Sequence, residues 1–287
     1  MTGSHEGRNG IDEWQGVVDL SRERSRLRIV GADRTRFLHG QCTNDIQRLR
    51  VGECCYAAFL DAKGKMRGEG HIICQTDAFL LEVNPGLTPS LEKFIITEDV
   101  IVEDVTARMG EWLVIGEGAT SLPANAVTFR HPLGLGVISA EPMMETVAAD
   151  ALGSLYIEAA TPRWGVDMDE STIPIEAGLE KRAISYDKGC YIGQETIARI
   201  RTYGHVNRRL VQLIIQPQAE TPVPPVPRQG DKLLAERREV GWVTSAAFSA
   251  RLGKLLALGY VRREFAVAGV KLKLDNHRAE VLRVCGE

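Results

Sequence analysis

The sequence lacks any apolar run approaching the roughly 20 residues that a membrane-spanning helix needs, so no such helix is expected. It also lacks a recognisable leader. The opening MTGSHEGRNGIDEWQ is polar, with no apolar stretch behind a charged start, and it is not the Arg-rich, acid-poor helix of a transit peptide. A cytoplasmic protein is therefore expected. Net charge is scarce, −3 over 287 residues, so nothing global announces a nucleic-acid partner and any basic site must be local. No CxxC pair occurs among the six cysteines (Cys42, Cys54, Cys55, Cys74, Cys190 and Cys285), and no His–Cys spacing matches a zinc site, so no resident metal is expected. Without an export signal, free thiols are expected rather than disulfides. Internal repeats are absent, and the one biased tract is the proline-rich stretch from Pro217 to Pro227.

What is present is an ordinary globular composition, 44% hydrophobic and 25% charged, in a chain long enough for two or three modules. Residues 27–30 read as a strand, and Asp33 reads as the N-cap of a helix over 34–40 with Phe37 and Leu38 facing a core. Residues 53–60 and 68–74 flank the turn at 61–65 as a hairpin, which makes the adjacent Cys54 and Cys55 small strand residues. A strand at 78–83 ends at Asn84-Pro85-Gly86. A helix over 88–96 and strands at 100–106 and 111–115 complete a compact α+β unit. Farther on, the pattern predicts a strand at 132–139, a helix at 146–152, a strand at 155–159, a loop over 161–176 and a helix at 195–201. After the stiff proline connection, four short strands between 232 and 273 predict a small β-barrel or sandwich.

The stretch from 184 to 209, ISYDKGCYIGQETIARIRTYGHVNRR, carries the chemistry. Gly189 and Gly193 flank Cys190, and a helix follows from Gln194 or Glu195. A thiol just before a helix N-terminus and two residues after Lys188 is biased toward thiolate. The other reading is a tight turn around a small buried residue, and the residues alone do not choose. Between Glu180 and Arg209 stand seven basic residues against three acids, a local net of +4. That is a candidate anion site or a solvated helix face. Tyr186, Tyr191 and Tyr203 form no regular stacking array, so a nucleic-acid surface is not expected.

Lys188-Gly189-Cys190-Tyr191-Ile192-Gly193-Gln194-Glu195 resembles the K-G-C-[FY]-x-G-Q-E motif of YgfZ-type folate-binding proteins, with the Ala198-Arg199 and Gly204-His205 that follow it there. Phe37-Leu38-His39-Gly40-Gln41, Thr43-Asn44-Asp45, Asp61-Ala62-Lys63-Gly64-Lys65, Ile175-Glu176-Ala177-Gly178-Leu179 and Gly241-Trp242-Val243-Thr244-Ser245 resemble further blocks of that family, so the likeness spans roughly residues 17 to 275. It implies an α+β, three-domain aminomethyltransferase-like fold, ring-like, with a C-terminal β-barrel. Residues 1–48 and 131–207 would form two parts of a folate-binding domain, 49–130 a second α+β domain and 208–287 the barrel.

The same resemblance implies tetrahydrofolate as cofactor, and Fe–S client or assembly proteins as partners beside the folate derivative. Cys190 would be the functional thiol, tuned by Lys188 and overlooking the ligand cavity. By block position Glu158 would pair with the pterin, unless it is a strand-end surface acid. Asn84 would lie near the ligand, unless it merely turns the chain before Pro85. Arg163 or Trp164, with Tyr191, Gln194, Glu195 and Arg199 of the motif, would complete the ligand contacts. Where aminomethyltransferases carry an Asp pair after the Gly-rich hairpin, this chain has Gly68 and Glu69. That departure favours an accessory role in iron–sulfur cluster assembly or repair. The alternative is folate-dependent aminomethyl transfer or demethylation, with Glu69 or Asp61 as base.

Overall fold

The computed structural model describes residues 15–116, 121–147, 151–217, 225–274 and 277–287. Its first sheet has five antiparallel strands in the order β3 (Cys54–Leu60), β4 (Met66–Cys74), β5 (Phe79–Val83), β2 (Ser25–Val30) and β6 (Ile101–Asp104). One face is covered by α1 (Arg34–Gln41), whose Phe37 and Leu38 pack with Leu27, Ile29, Ile72, Leu81 and Val83. Strand residues alternate between faces, so Ile72, Leu81 and Val83 commit Glu69, His71 and Glu82 to the opposite face. Burying charged groups there demands partners, and this requirement shapes the site described below.

A second sheet, β1 (Gly16–Asp19), β7 (Gly110–Ile115), β9 (Gly134–Ser139) and β8 (Val127–His131), faces that polar side. Phe129 and Ile138 of this sheet pack on Ile73 and Leu80 of the first. Six strands then close a barrel: β10 (Arg208–Pro217), β13 (Lys254–Arg262), β12 (Arg238–Ser249), β11 (Lys232–Ala235), β14 (Lys271–Leu274) and β15 (His277–Val284), the last pairing back to β10. Its interior holds Val211, Leu213, Val243, Leu255, Leu272 and Val281. Closure leaves no free sheet edge.

Several expectations need correction. Residues 155–159 are not a strand but the end of α3 (Leu152–Glu158). Leu152 and Leu155 pack on Val18 and Leu113 of the four-stranded sheet, whereas Ile157 packs on Leu210, Leu256 and Leu258 of the barrel. A helix buried on two sides has apolar residues outside a single stripe, which is why it reads as alternation. The helix placed at 146–152 begins only at Leu152; residues 148–150 lie outside the described residues, as do 218–224 of the proline stretch. The helix over 88–96 shortens to α2 (Thr88–Glu92). Asp33 is the N-cap of α1 by position, but its side chain makes no capping bond, because its carboxylate accepts the Asp99 N–H and pairs with Arg36. Strands β1, β8, β10 and β15 and the short helix α4 (Glu180–Ala183) had no counterpart in the pattern.

Candidate functional site

Between the two sheets lies a cavity of ≈ 190 Å³. Glu69, His71 and Glu82 enter it from the polar face of β4 and β5, where His71 stands directly opposite Glu82. Arg24, from the turn before β2, binds Glu69 Oε1 through Nη1 at 2.6 Å and Glu82 Oε1 through Nε. The Tyr56 hydroxyl donates to Glu69 Oε2 at 2.6 Å, and His71 Nδ1 donates to Glu82 Oε2 at 2.7 Å. Burial would depress the Arg24 pKa, yet Glu69 and Glu82 outweigh it and hold the group well above its ordinary value. For Glu82 burial opposes ionisation, but Arg24 and His71 prevail and bring its pKa well below the usual carboxyl range. Burial, reinforced by Glu69, drives the Tyr56 phenol well above its ordinary pKa.

His131 ends β8 inside the same cavity. The Leu133 N–H donates to its Nδ1 at 3.1 Å, so the ring proton sits on Nε2 and donates to the Tyr156 hydroxyl at 3.2 Å. Burial and the neighbouring His71 push the His131 pKa well below its ordinary value, which keeps the ring neutral. Tyr156, whose pKa burial raises, retains its own O–H for a ligand.

Three lining groups have buried polar atoms without a partner: Arg163 Nε, Arg182 Nε and Glu111 Oε2. The Arg182 guanidinium lies 3.8 Å from the centre of the Tyr56 ring, and Arg163 lies 5.7 Å from that of Tyr156. Unsatisfied buried donors and acceptors are costly, and these three stand on side chains that line the cavity. Asn84 also lines the wall, accepting the Glu69 N–H at 2.9 Å. A Cβ on Gly68 would stand 2.4 Å from the Asn84 Oδ1, so this glycine makes room for the amide. Trp164 completes an aromatic side with Tyr56 and Tyr156.

Of the residues singled out in the sequence, the cavity thus gathers Glu69, Asn84, Arg163 and Trp164. Glu158 is elsewhere: its Oε1 accepts Ser249 Oγ at 2.6 Å and its Oε2 accepts Arg251 at 2.9 Å, so both oxygens are spent on the barrel. The expectation that it orients a ligand does not fit, because α3 points it toward β12 rather than the cavity. Glu195 and Arg199 are exposed and bonded to each other at 2.8 Å on α5 (Gln194–Tyr203), a solvated i,i+4 pair. Tyr191 and Gln194 line a different hollow of ≈ 420 Å³, with Tyr186 and Arg201. Burial pushes the Tyr191 pKa up to about 12.

Lys188 also departs from expectation. It is buried and its ammonium donates to the carbonyls of His39, Cys42 and Asn44 at 2.6, 2.6 and 3.0 Å. Its charge is consumed in pinning the end of α1, and burial lowers its pKa. Cys190 itself is exposed and lines neither hollow. Gly193 does need to be glycine, since its φ is +84° and a Cβ would sit 2.5 Å from the Asp61 carbonyl oxygen. Gly189 carries no such constraint. All six cysteines are free, Cys54 and Cys55 within β3. The basic stretch disperses: Arg182 goes to the cavity, Arg201 stacks on Tyr186 and Arg208 pairs with Glu176. Among the described residues no group of three or more His, Cys, Asp or Glu could hold a metal ion, and no helix is long and apolar enough to cross a membrane.

Sequence reasoning missed Tyr56, His71, Glu82, Glu111, His131 and Tyr156. The available signal was charge inside apolar strands, as in Phe79-Leu80-Leu81-Glu82-Val83 or Glu111 before Trp112-Leu113-Val114-Ile115. A charged residue there must be buried with a purpose.

Two sheets enclosing a charged cavity, followed by a closed six-stranded barrel, define the aminomethyltransferase-like fold class. The fold superposes on the crystal structure of the glycine cleavage system aminomethyltransferase T from Bartonella henselae with a TM-score of 0.76 at 19% identity, over 96% of this chain and 87% of that one. Residues 208–284 match the model of the glycine cleavage T-protein C-terminal barrel domain. An aminomethyltransferase from Desulforamulus reducens is 30% identical over 306 residues, covering 90% of this chain and 82% of its own length. The tRNA-modifying protein YgfZ of Escherichia coli is 27% identical over 225 residues, 65% of this chain and 68% of that protein. The chain belongs to the aminomethyltransferase (glycine-cleavage T-protein) superfamily and is a member of its YgfZ type.

Proposed function

We propose that this protein binds tetrahydrofolate in the cavity between its sheets and serves iron–sulfur cluster assembly or repair in client proteins of the cytoplasm. The observation that carries the folate half is the cavity itself: flat walls of Tyr56, Tyr156 and Trp164, with unpartnered polar atoms on Glu111, Arg163 and Arg182. A pteridine needs stacking faces and hydrogen-bonding groups at its edge, and both are available. Tyr156 and Asn84 would add polar contacts, and the arginines would meet the anionic end of the ligand.

The iron–sulfur half rests on the KGCYIGQE motif and on the exposure of Cys190. Clusters are usually held by four cysteine ligands, so one thiol contributes to a shared contact with a client rather than a resident cluster. Weighing against transfer chemistry, both candidate bases are occupied. Glu69 is held by Arg24 and Tyr56, whereas Asp61 accepts the N–H groups of Lys63 and Lys65 within its turn.

Isothermal titration with tetrahydrofolate and 5-formyltetrahydrofolate is expected to show one site, lost in Arg182→Ala. No binding of either would remove the folate reading. Cys190→Ala, expressed in cells lacking the native protein, is expected to leave Fe–S enzyme activities unrestored. Full rescue would remove this thiol from the mechanism.

A further inference from the structure

The second hollow, of ≈ 420 Å³, has no part in the function proposed above. It lies between the segment 185–191 and one face of α5, since Gln194, Ile197, Ala198, Arg201 and Thr202 recur at the spacing that keeps helix residues on one side. Four of its side chains bring donors that have no hydrogen-bond partner among the described residues: the hydroxyls of Ser185 and Tyr191, the Gln194 amide and the Arg201 guanidinium. Unlike Arg182 Nε, no side-chain polar atom of Ser185, Tyr191 or Gln194 is sealed from solvent, and Arg201 is exposed. Burial holds the Tyr191 pKa at about 12, so its hydroxyl keeps a proton to donate. Ile197 and Ala198 supply an apolar part of the wall.

The charge here is of one sign. Among the described residues no acid lines the hollow. Glu195, the acid of α5, is paired with Arg199 at 2.8 Å, and Glu180 accepts the Tyr186 hydroxyl at 2.6 Å. The Arg201 guanidinium lies 3.9 Å from the centre of the Tyr186 ring, which steadies the group while leaving its N–H edge free. We propose that this hollow is a carboxylate site, taking a monocarboxylate with a short apolar body: Arg201 and Gln194 hold the two oxygens, Ser185 and Tyr191 donate to the remaining lone pairs, and the body rests on Ile197 and Ala198. A phosphate group fits less well. The hollow offers it one cation, and the nearby amides of Ser185, Ile192 and Gln194 are spent on the carbonyls of Thr43, Gly40 and Tyr191, so no nest of backbone N–H groups stands ready. A free small acid and the last residue of a peptide share the chemistry that this site selects.

The test titrates the full chain with isocaproate, followed by amide chemical shifts. Isocaproate is expected to bind with a Kd on the order of 1 mM, as suits so small a ligand, and to move the signals of residues 185–202. Isocaproamide, the uncharged counterpart, and inorganic phosphate are each expected to bind at least about tenfold more weakly. Arg201→Gln is expected to abolish binding, and Arg201→Lys, which keeps the charge but loses the fork, to weaken it about fivefold. Arg199→Gln, on the same helix but outside the hollow, is expected to bind as wild type does. A blocked tripeptide ending in leucine, with its C-terminus free or amidated, separates the two sources: tighter binding of the free-ended peptide than of isocaproate assigns the site to a chain terminus, and equal or weaker binding assigns it to a small acid. No binding of either carboxylate, equal binding of phosphate or of isocaproamide, undiminished binding in Arg201→Gln, or the same loss in Arg199→Gln overturns the proposal.

Discussion

His131 shows how a single residue carries the electrostatics of its surroundings. Its folded pKa lies well below its ordinary 6.5 because burial and His71 disfavour the charged ring. A group that takes up protons more readily when unfolded contributes stability that is lost as pH falls through its unfolded value. Acidifying from pH 7 to 5 should therefore weaken the fold through this ring, by up to about 1.4 kcal/mol per pH unit below 6.5. Glu111 acts in the opposite direction, since its pKa is raised, so the comparison must be with a variant. Chemical denaturation of wild type and His131→Asn across this range should show the stability difference between them moving against wild type as pH falls; parallel curves would show that the ring is not held neutral by folding. Nothing in the sequence distinguishes His131 from His39 or His205. Its role comes from Leu133 N–H, His71 and Tyr156, which meet only in the folded chain.

At the scale of elements, the turn 61–65 and the start of α5 hold each other. Gly193, with φ +84°, brings its Cα against Asp61 O and Leu60, and Gly64 faces Thr196 of the helix. Gly193→Ala adds a left-handed non-glycine residue and a clash with backbone, at a cost of about 1–3 kcal/mol. The loss should appear in urea denaturation, and hydrogen exchange should quicken in residues 188–196 before the sheets are affected. Uniform exchange across the molecule would contradict this coupling. The KGCYIGQE motif is therefore an element of architecture as much as of chemistry. Lys188 ties it to α1, Gly193 ties it to the hairpin, and Cys190 is left at the surface between those anchors. Spacing alone made the motif recognisable, but it could not reveal that the lysine turns inward.

The whole molecule is joined through α3, which touches the four-stranded sheet with Leu152 and Leu155 and the barrel with Ile157 and Glu158. Gln212 of β10 reinforces the joint by donating to the carbonyls of Ile157 and Glu158 at 2.6 and 3.0 Å. Removing one partner of a buried ion pair strands the other, so Glu158→Ala should cost about 3 kcal/mol. It should also loosen the barrel from the rest of the chain, visible as a separate thermal transition, while folate affinity of the folded protein stays within about twofold. A large loss of affinity without loss of stability would return Glu158 to the ligand.

The sequence by itself determined the superfamily, the barrel and the first hairpin, because these depend on local properties: alternation, turn residues and a motif long enough to be specific. It also singled out Asn84, Arg163 and Trp164, which line the cavity. Only the tertiary structure decided which carboxyls are free and which are spent. Glu69, Glu82, Glu111 and Glu158 are the same kind of side chain, separated by up to 89 positions, and nothing local tells them apart. Their roles follow from what stands opposite them after folding: Arg24 and His71 for Glu82, Ser249 and Arg251 for Glu158, and no hydrogen-bond partner for one oxygen of Glu111.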